Sequence, residues 1–181
     1  MSAEGLYVAP GTGKRLVSNA HEVVFKVTGE HSRAASSFEV TVPPGFDVGA
    51  HLHHRSEELF YVVEGTVEFL AFEPLSRDGH WSAWEGANGQ APIAAEVGSV
   101  LFVPPGCPHA FRNASDRPAR MFFQAAPPPD HESYFESLIE IFQSGDSIPA
   151  GAVEKLREMY DIEQITQLKY EPPKARTAQN P

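Results

Sequence analysis

The chain has 181 residues, 41% of them apolar, and a formal net charge of −10 from 14 Lys and Arg against 24 Asp and Glu. That length suits one domain with a sizeable core, and an acidic chain without a basic block is a poor partner for nucleic acid or an anionic membrane. A single cysteine, Cys107, excludes an intrachain disulfide. No stretch approaches the roughly 18 apolar residues of a spanning helix, and the opening "MSAEGLYVAPGTGKRLVSNA" has no apolar core of signal-peptide length. The expectation is a soluble, cytoplasmic protein.

Glycine and proline are frequent (14 and 16) and punctuate short apolar runs, the pattern of many short strands joined by turns. "HEVVFKVTG" (21–29) reads as a strand closed by glycine. "SFEVTVPPG" alternates Phe38, Val40 and Val42 against Glu39 and Thr41, then breaks at Pro43-Pro44-Gly45. "ELFYVVEG" and "TVEFLAFE" flank Glu64-Gly65 and predict a hairpin. The longer segment 73–96 carries both tryptophans, Trp81 and Trp84. It reads as an extended hairpin or loop whose aromatics pack on the domain or on a partner subunit, with a substrate-facing flap as the alternative. "GSVLFVPPG" and "ARMFFQAA" are two further strands.

After Pro127-Pro128-Pro129 the period changes. "DHESYFESLIEIFQSG" places Tyr134, Phe135, Leu138, Ile139 and Phe142 on one helical face, with Asp130 as cap and Gly145 as stop. "SIPAGAVEKLREMYDIEQI" predicts a second helix, with Val153, Leu156, Met159 and Tyr160 at helical spacing. The closing "LKYEPPKARTAQNP" carries no pattern. The layout is all-β over 1–127, a helical extension with a pair of α-helices over 128–170, and a tail over 171–181.

Chemistry concentrates in "GFDVGAHLHHRSEELFYVVEG", 45–65. Alternate side chains of a strand share a face, so His51 and His53 point one way and Glu58, Phe60 and Val62 share another such face. His54 and Glu57 are out of phase with them. "PPGCPHAFRN" brings His109 from the neighbourhood of another strand end. Two histidines, a carboxylate and a distant histidine suit a divalent cation. His21, His31, His80 and His131 read as surface or hydrogen-bonded core histidines.

The spacing goes further. Gly45, five residues, His51-Leu52-His53, four residues, Glu58, six residues, Gly65 is followed by Gly98, five residues, Pro104-Pro105-Gly106, two residues, His109, three residues, Asn113. This double pattern resembles the two motifs of the cupin superfamily, G-x5-H-x-H-x3/4-E-x6-G and G-x5-P-x-G-x2-H-x3-N, with every defining position filled. The resemblance implies a double-stranded β-helix barrel, a jelly-roll relative, with a metal inside its mouth. By motif position the ligands are His51, His53, Glu58 and His109. The cofactor is a divalent ion whose identity (Fe, Mn, Ni, Cu, Co or Zn) sequence does not choose. The motif glycines Gly45, Gly65, Gly98 and Gly106 are turn positions, and Asn113 has a structural hydrogen-bonding role. Cys107 falls at a variable motif position and reads as a turn residue, since its neighbour His109 is taken up by the metal.

Three imidazoles and a carboxylate leave two positions of an octahedral ion open. Phe38, Val40, Phe60, Val62, Phe102, Phe111, Met121 and Phe123 are the candidate inward apolar positions, and no Arg/Lys cluster near either motif would hold phosphates. The chain is similar to the quercetinase-type single-domain cupin dioxygenases. That similarity implies an oxygenase acting on an enolic or phenolic (flavonol- or polyketide-like) small molecule, with Glu58 both ligand and general base. A non-redox metal-dependent isomerase or cyclase, and a small-molecule-binding cupin without turnover, are the alternatives. Homodimerisation is expected as a way to cover sheet edges.

Overall fold

The computed structural model describes residues 4–18, 22–143 and 151–170. In chain order its elements are β1 (Arg15–Val17), β2 (Glu22–Val27), β3 (Ser36–Val42), β4 (Phe46–Asp47), β5 (His51–His53), β6 (Glu57–Glu64), β7 (Val67–Ala71), β8 (Ile93–Ala95), β9 (Val100–Val103), β10 (His109–Arg112), β11 (Ala119–Ala126), α1 (His131–Gln143), α2 (Ala152–Glu158), β12 (Ile162–Gln164) and β13 (Lys169–Tyr170). One antiparallel sheet has the order β1-β2-β3-β11-β6-β9. The facing sheet runs β12-β5-β10-β4-β13, with β7 paired to both β10 and β8. All-β architecture with two C-terminal helices is as the sequence predicts.

Side-chain alternation builds the core between the sheets. Phe38, Val40 and Val42 of β3, Glu58, Phe60 and Val62 of β6, and Met121 and Phe123 of β11 all face inward and are buried. The register sets Phe123 opposite both Phe38 and Phe60, so the three rings stack, with centroids 5.5 and 5.0 Å apart. Phe102 departs from the expected inward set: it is 53% exposed. In β9 the pairs Glu58↔Val103 and Phe60↔Leu101 put Leu101 and Val103 on the inner face and turn Phe102 outward.

The predicted Glu64-Gly65 hairpin does not form. β6 pairs with β11 and β9, whereas β7 pairs with β10 and β8 in the other sheet. The turn is a corner between sheets. Gly65 has φ 76°, and a Cβ there would lie 3.0 Å from Ala119, so both conformation and space require glycine.

The tryptophan segment packs on the barrel. A short 3₁₀ turn, Trp81–Ala83, buries Trp81, whose Nε1 donates to Asp47 Oδ1 at 2.8 Å. Trp84 is also buried and donates to the Asp78 carbonyl at 2.9 Å, and the Arg112 guanidinium lies over the Trp81 ring.

In α1, Tyr134, Leu138, Ile139 and Phe142 are buried, and Phe135 meets Phe25 and Phe38 edge-on. Asp130 Oδ1 accepts from the Ser133 amide at 3.3 Å, the expected cap; Gly145 lies outside the described residues. The second helix is shorter than predicted. It ends at Glu158, leaving Met159 69% exposed. Beyond Asp161, which has φ 60°, the chain becomes a strand. β12 pairs with β5 in the register Ile162↔His53 and Gln164↔His51, and β13 pairs with β4. The segment after Pro127 therefore completes a sheet as well as adding helices. No described helix is long and apolar enough to cross a membrane.

Candidate metal centre

β5 delivers His51 and His53 from alternate positions, β6 delivers Glu58, and β10 delivers His109 directly opposite His51. All four side chains are buried. One ligating atom from each lies within 4.8 Å of every other. Their out-of-phase neighbours behave as the alternation requires: Glu57 is exposed, and His54 pairs at the surface with Glu163 at 3.0 Å.

Each ring is oriented by a backbone carbonyl. His51 Nδ1 meets Gly49 O at 2.8 Å, His53 Nδ1 meets Asp161 O at 3.0 Å, and His109 Nδ1 meets Cys107 O at 3.0 Å. A carbonyl can only accept, so each Nδ1 carries the proton and each Nε2 presents a lone pair inward. Two of these nitrogens, His53 Nε2 and His109 Nε2, are buried without a hydrogen-bond partner. Glu58 Oε1 lies 3.0 Å from the first and Oε2 lies 2.9 Å from the second, at ion-pair distance but off the axis of a hydrogen bond. Convergent lone pairs and a carboxylate in a dry site repel one another unless a cation lies between them. Three imidazole nitrogens and one carboxylate are a donor set for a divalent first-row metal, and the residues present fit it.

In the protein alone, the positive charge that Glu58 draws in is a proton on His53. Burial, reinforced by His109 and Arg157, holds the His51 imidazole well below its ordinary value. Burial also opposes charge on His53, but Glu58 outweighs it and leaves that ring above its ordinary value. Burial pushes the Glu58 carboxyl up, and His53 and His109 more than reverse this, holding it well below the usual carboxylate range. The Glu58 carboxylate is therefore ionised and available as a ligand.

Three of the four, His51, His53 and Glu58, line an apolar cavity of about 60 Å³ walled by Val40, Phe60, Phe111, Met121 and Phe123 among others. Its other wall comes from the C-terminal segment and includes two residues that sequence reasoning did not single out. His131, the first residue of α1, points its Nε2 at Glu58 Oε1 from 4.0 Å. Its Nδ1 faces Ser36 Oγ at 3.4 Å, and burial pushes its imidazole down to about 4. Its position at the start of the buried stripe, four residues before Phe135 and seven before Leu138, was the available signal. Arg157 is 1% exposed and also lines the cavity. Nothing in "VEKLREMY" separates it from a solvated helix position.

The remaining predicted residues take supporting roles. Asn113 Nδ2 donates to Val42 O and Arg117 O at 2.8 and 2.7 Å, tying two turns together. The motif glycines Gly45, Gly65, Gly98 and Gly106 all have positive φ. The Cys107 thiol is half-buried, and burial pushes it up; its contribution to the site is the carbonyl that orients His109. His31 is held by Thr28 and His80 by Asp47, both outside the cavity, and His21 lies outside the described residues.

A sequence model of the family described as Cupin matches residues 14–150. Among curated proteins, the chain is 36% identical over 84 residues to "Polyketide synthase CurC" of Streptomyces cyaneus, a match covering 46% of this chain and 44% of that protein. It is 26% identical over 98 residues to an uncharacterized protein of Methanocaldococcus jannaschii, covering 52% of this chain and 62% of the relative. The chain thus spans less than two thirds of either relative. Among solved structures, KdgF from Halomonas sp. superposes with a TM-score of 0.55 at 14% identity, over 71% of this chain and 99% of that one, a likeness of fold. With the family match across most of its length and both motifs folded around one four-residue cluster, the chain belongs to the cupin family.

Proposed function

We propose that this cupin is a metal-dependent oxygenase acting on a compact enolic or phenolic small molecule. The observation that carries the reading is that three residues of the four-ligand cluster, His51, His53 and Glu58, line an apolar, phenyl-walled cavity. His51, His53, Glu58 and His109 would hold the ion. The ion supplies, when bound, Lewis-acid polarisation of a substrate oxygen and, if redox-active, electron exchange with dioxygen.

The protein's own part is to orient, desolvate and move a proton. Phe60, Phe111 and Phe123 offer flat faces to a planar enol and exclude water. Glu58, ionised and already aimed at the ligand nitrogens, is the group that accepts the enolic proton. His131, neutral and 4.0 Å from Oε1, is the next acceptor in line. A cavity of about 60 Å³ holds roughly two waters' worth of volume. That volume favours a compact substrate over a flavonol-sized one.

The test is oxygen uptake. Protein reconstituted separately with Fe, Mn, Ni, Cu, Co and Zn is offered a panel of enols and phenols. The reading expects consumption of dioxygen with redox-active ions and none with Zn. The similarity to a protein named as a polyketide synthase favours a second reading, a non-redox cyclase or isomerase. Turnover without oxygen uptake, and equally with Zn, would establish that reading instead. For assembly, the exposed Tyr61, Val63, Val100 and Phe102 of β6 and β9 support the homodimer, with a second copy covering this edge; a monomer mass by light scattering would exclude it.

A further inference from the structure

Arg157 is a buried cation that meets no anion among the described residues. It is 1% exposed, its Nε donates to Tyr134 Oη at 3.1 Å and its Nη1 donates to Gln164 Oε1. Both acceptors are neutral. Among the described residues no carboxylate lies within 4.0 Å of its guanidinium, whereas the other arginines in described ion pairs have one. Among the described residues, two of the guanidinium's five N–H donors are used in these bonds. The side chain lines the same cavity as His51, His53 and Glu58.

Burying an arginine among phenyl rings is costly unless something neutralises it. Glu58 is the acidic residue of the cavity wall, and its carboxylate is committed to the histidine cluster. With a divalent ion bound by that cluster, the cavity would carry +2 from the ion, −1 from Glu58 and +1 from Arg157, a net charge of +2. An apolar chamber with that charge selects anions. The two positive centres also stand on different walls, one on the barrel and one on α2, so a single ligand can bridge them.

We propose that Arg157 is the anion-binding residue of this site, and that the substrate is a small enolic carboxylic acid. Its enolic oxygen faces the histidine cluster and its carboxylate is clamped by the Arg157 fork. A guanidinium suits this role because its planar donors match the two oxygens of a carboxylate. Tyr134 and Gln164 hold the fork in place. Gln164 is fixed by β12, directly opposite His51, so the spacing between the two anchors is set by one strand pair. The proposal rests on the metal-centre reading above and narrows its substrate class.

The experiment compares two probes of nearly equal shape, acetoacetate and 2,4-pentanedione, which differ by a carboxylate in place of an acetyl group. Binding is measured by calorimetry to Zn-loaded protein, so that no oxygen chemistry intervenes. Wild type is expected to prefer acetoacetate by about tenfold or more, the worth of a charge-assisted hydrogen-bond pair. Arg157→Met should bring the ratio near one while leaving 2,4-pentanedione within a few-fold of wild type, and Arg157→Lys should retain part of the preference. Equal binding of the two probes by wild type, failure of acetoacetate to bind, or a preference that survives Arg157→Met would overturn the proposal. Should Arg157→Met not fold, the wild-type ratio and Arg157→Lys decide the matter. The oxygenase reading fails separately, by absence of oxygen uptake, and that outcome would leave the anion preference standing.

Discussion

Two segments of this chain lie outside the minimal two-motif barrel, and they do different work. The tryptophan segment, 73–96, buries Trp81 and Trp84 against the outside of the barrel and anchors itself on Asp47. None of its residues lines the metal-side cavity. The segment after Pro127 contributes His131, Tyr134, Phe135, Leu138, Arg157 and Ile162 to that cavity, and its Asp161 carbonyl orients His53. Aromatic content alone would have favoured the first segment as the functional one. What distinguishes them is which end of the barrel each closes: one seals a structural flank, and the other forms a wall of the site.

The sharpest way to break this contrast is removal. Truncation after Ala126 strips the buried faces of α1 and α2 and the strand that pairs with β5. We expect an aggregating protein that no longer retains a divalent metal. A truncated chain that stays soluble with unchanged Tm and metal content would make the segment accessory.

Trp81→Ala probes the other side of the comparison. Loss of a buried tryptophan costs about 3–5 kcal/mol, and it also removes a donor to Asp47. Denaturant unfolding should show this large loss, while metal content and probe affinity of the folded protein stay at wild-type values. A change in ligand affinity would place the tryptophan segment in the site.

A third effect, somewhat smaller, is tied to pH through His131. Its imidazole is held neutral in the fold, down to about 4, against an ordinary value of 6.5, because it is buried. Between those values the unfolded chain takes up a proton that the folded chain refuses. Stability must therefore fall as pH drops through this window, by about 3 kcal/mol from this group. In metal-free protein, the difference in unfolding free energy between pH 7 and pH 4.5 should shrink in His131→Phe. An unchanged difference would mean that His131 is not the refusing group.

The smallest effect is at Tyr134. Tyr134→Phe removes the acceptor for Arg157 Nε at little cost in volume. It should cost about 1 kcal/mol of stability and weaken acetoacetate binding more than 2,4-pentanedione binding. Equal weakening of both probes would show that the tyrosine shapes the cavity without positioning the arginine.

Much of the site was legible because strand chemistry is local. His51, His53 and Glu58 are placed by two-residue alternation within a few positions, and His109 by a turn motif whose glycine and proline fix its geometry. The helical stripe of α1 was readable for the same reason. Three features were not. The Glu64-Gly65 turn has hairpin chemistry, but pairing across sheets is decided by the whole barrel, and β6 and β7 part company there. Phe102 sits on an edge strand whose face is set by its pairing with β6, which a four-residue run cannot report. Arg157 and the strand after Asp161 depend on a tertiary event, the docking of 162–164 beside β5. A charged residue in a short amphipathic run carries no sign that it will be buried.

The central claim is that His51, His53, Glu58 and His109 hold one divalent cation, and elemental analysis of purified, reconstituted protein tests it most directly. Wild type should contain one ion per chain after dialysis against apo buffer. Among the described residues the cluster has no fifth histidine or carboxylate to replace His109, so the metal content of His109→Ala should fall at least about tenfold under the same dialysis. His54→Ala, at the surface, should leave the content at one. Wild-type protein with no stoichiometric metal, or a His109→Ala variant that retains a full equivalent, would contradict the account.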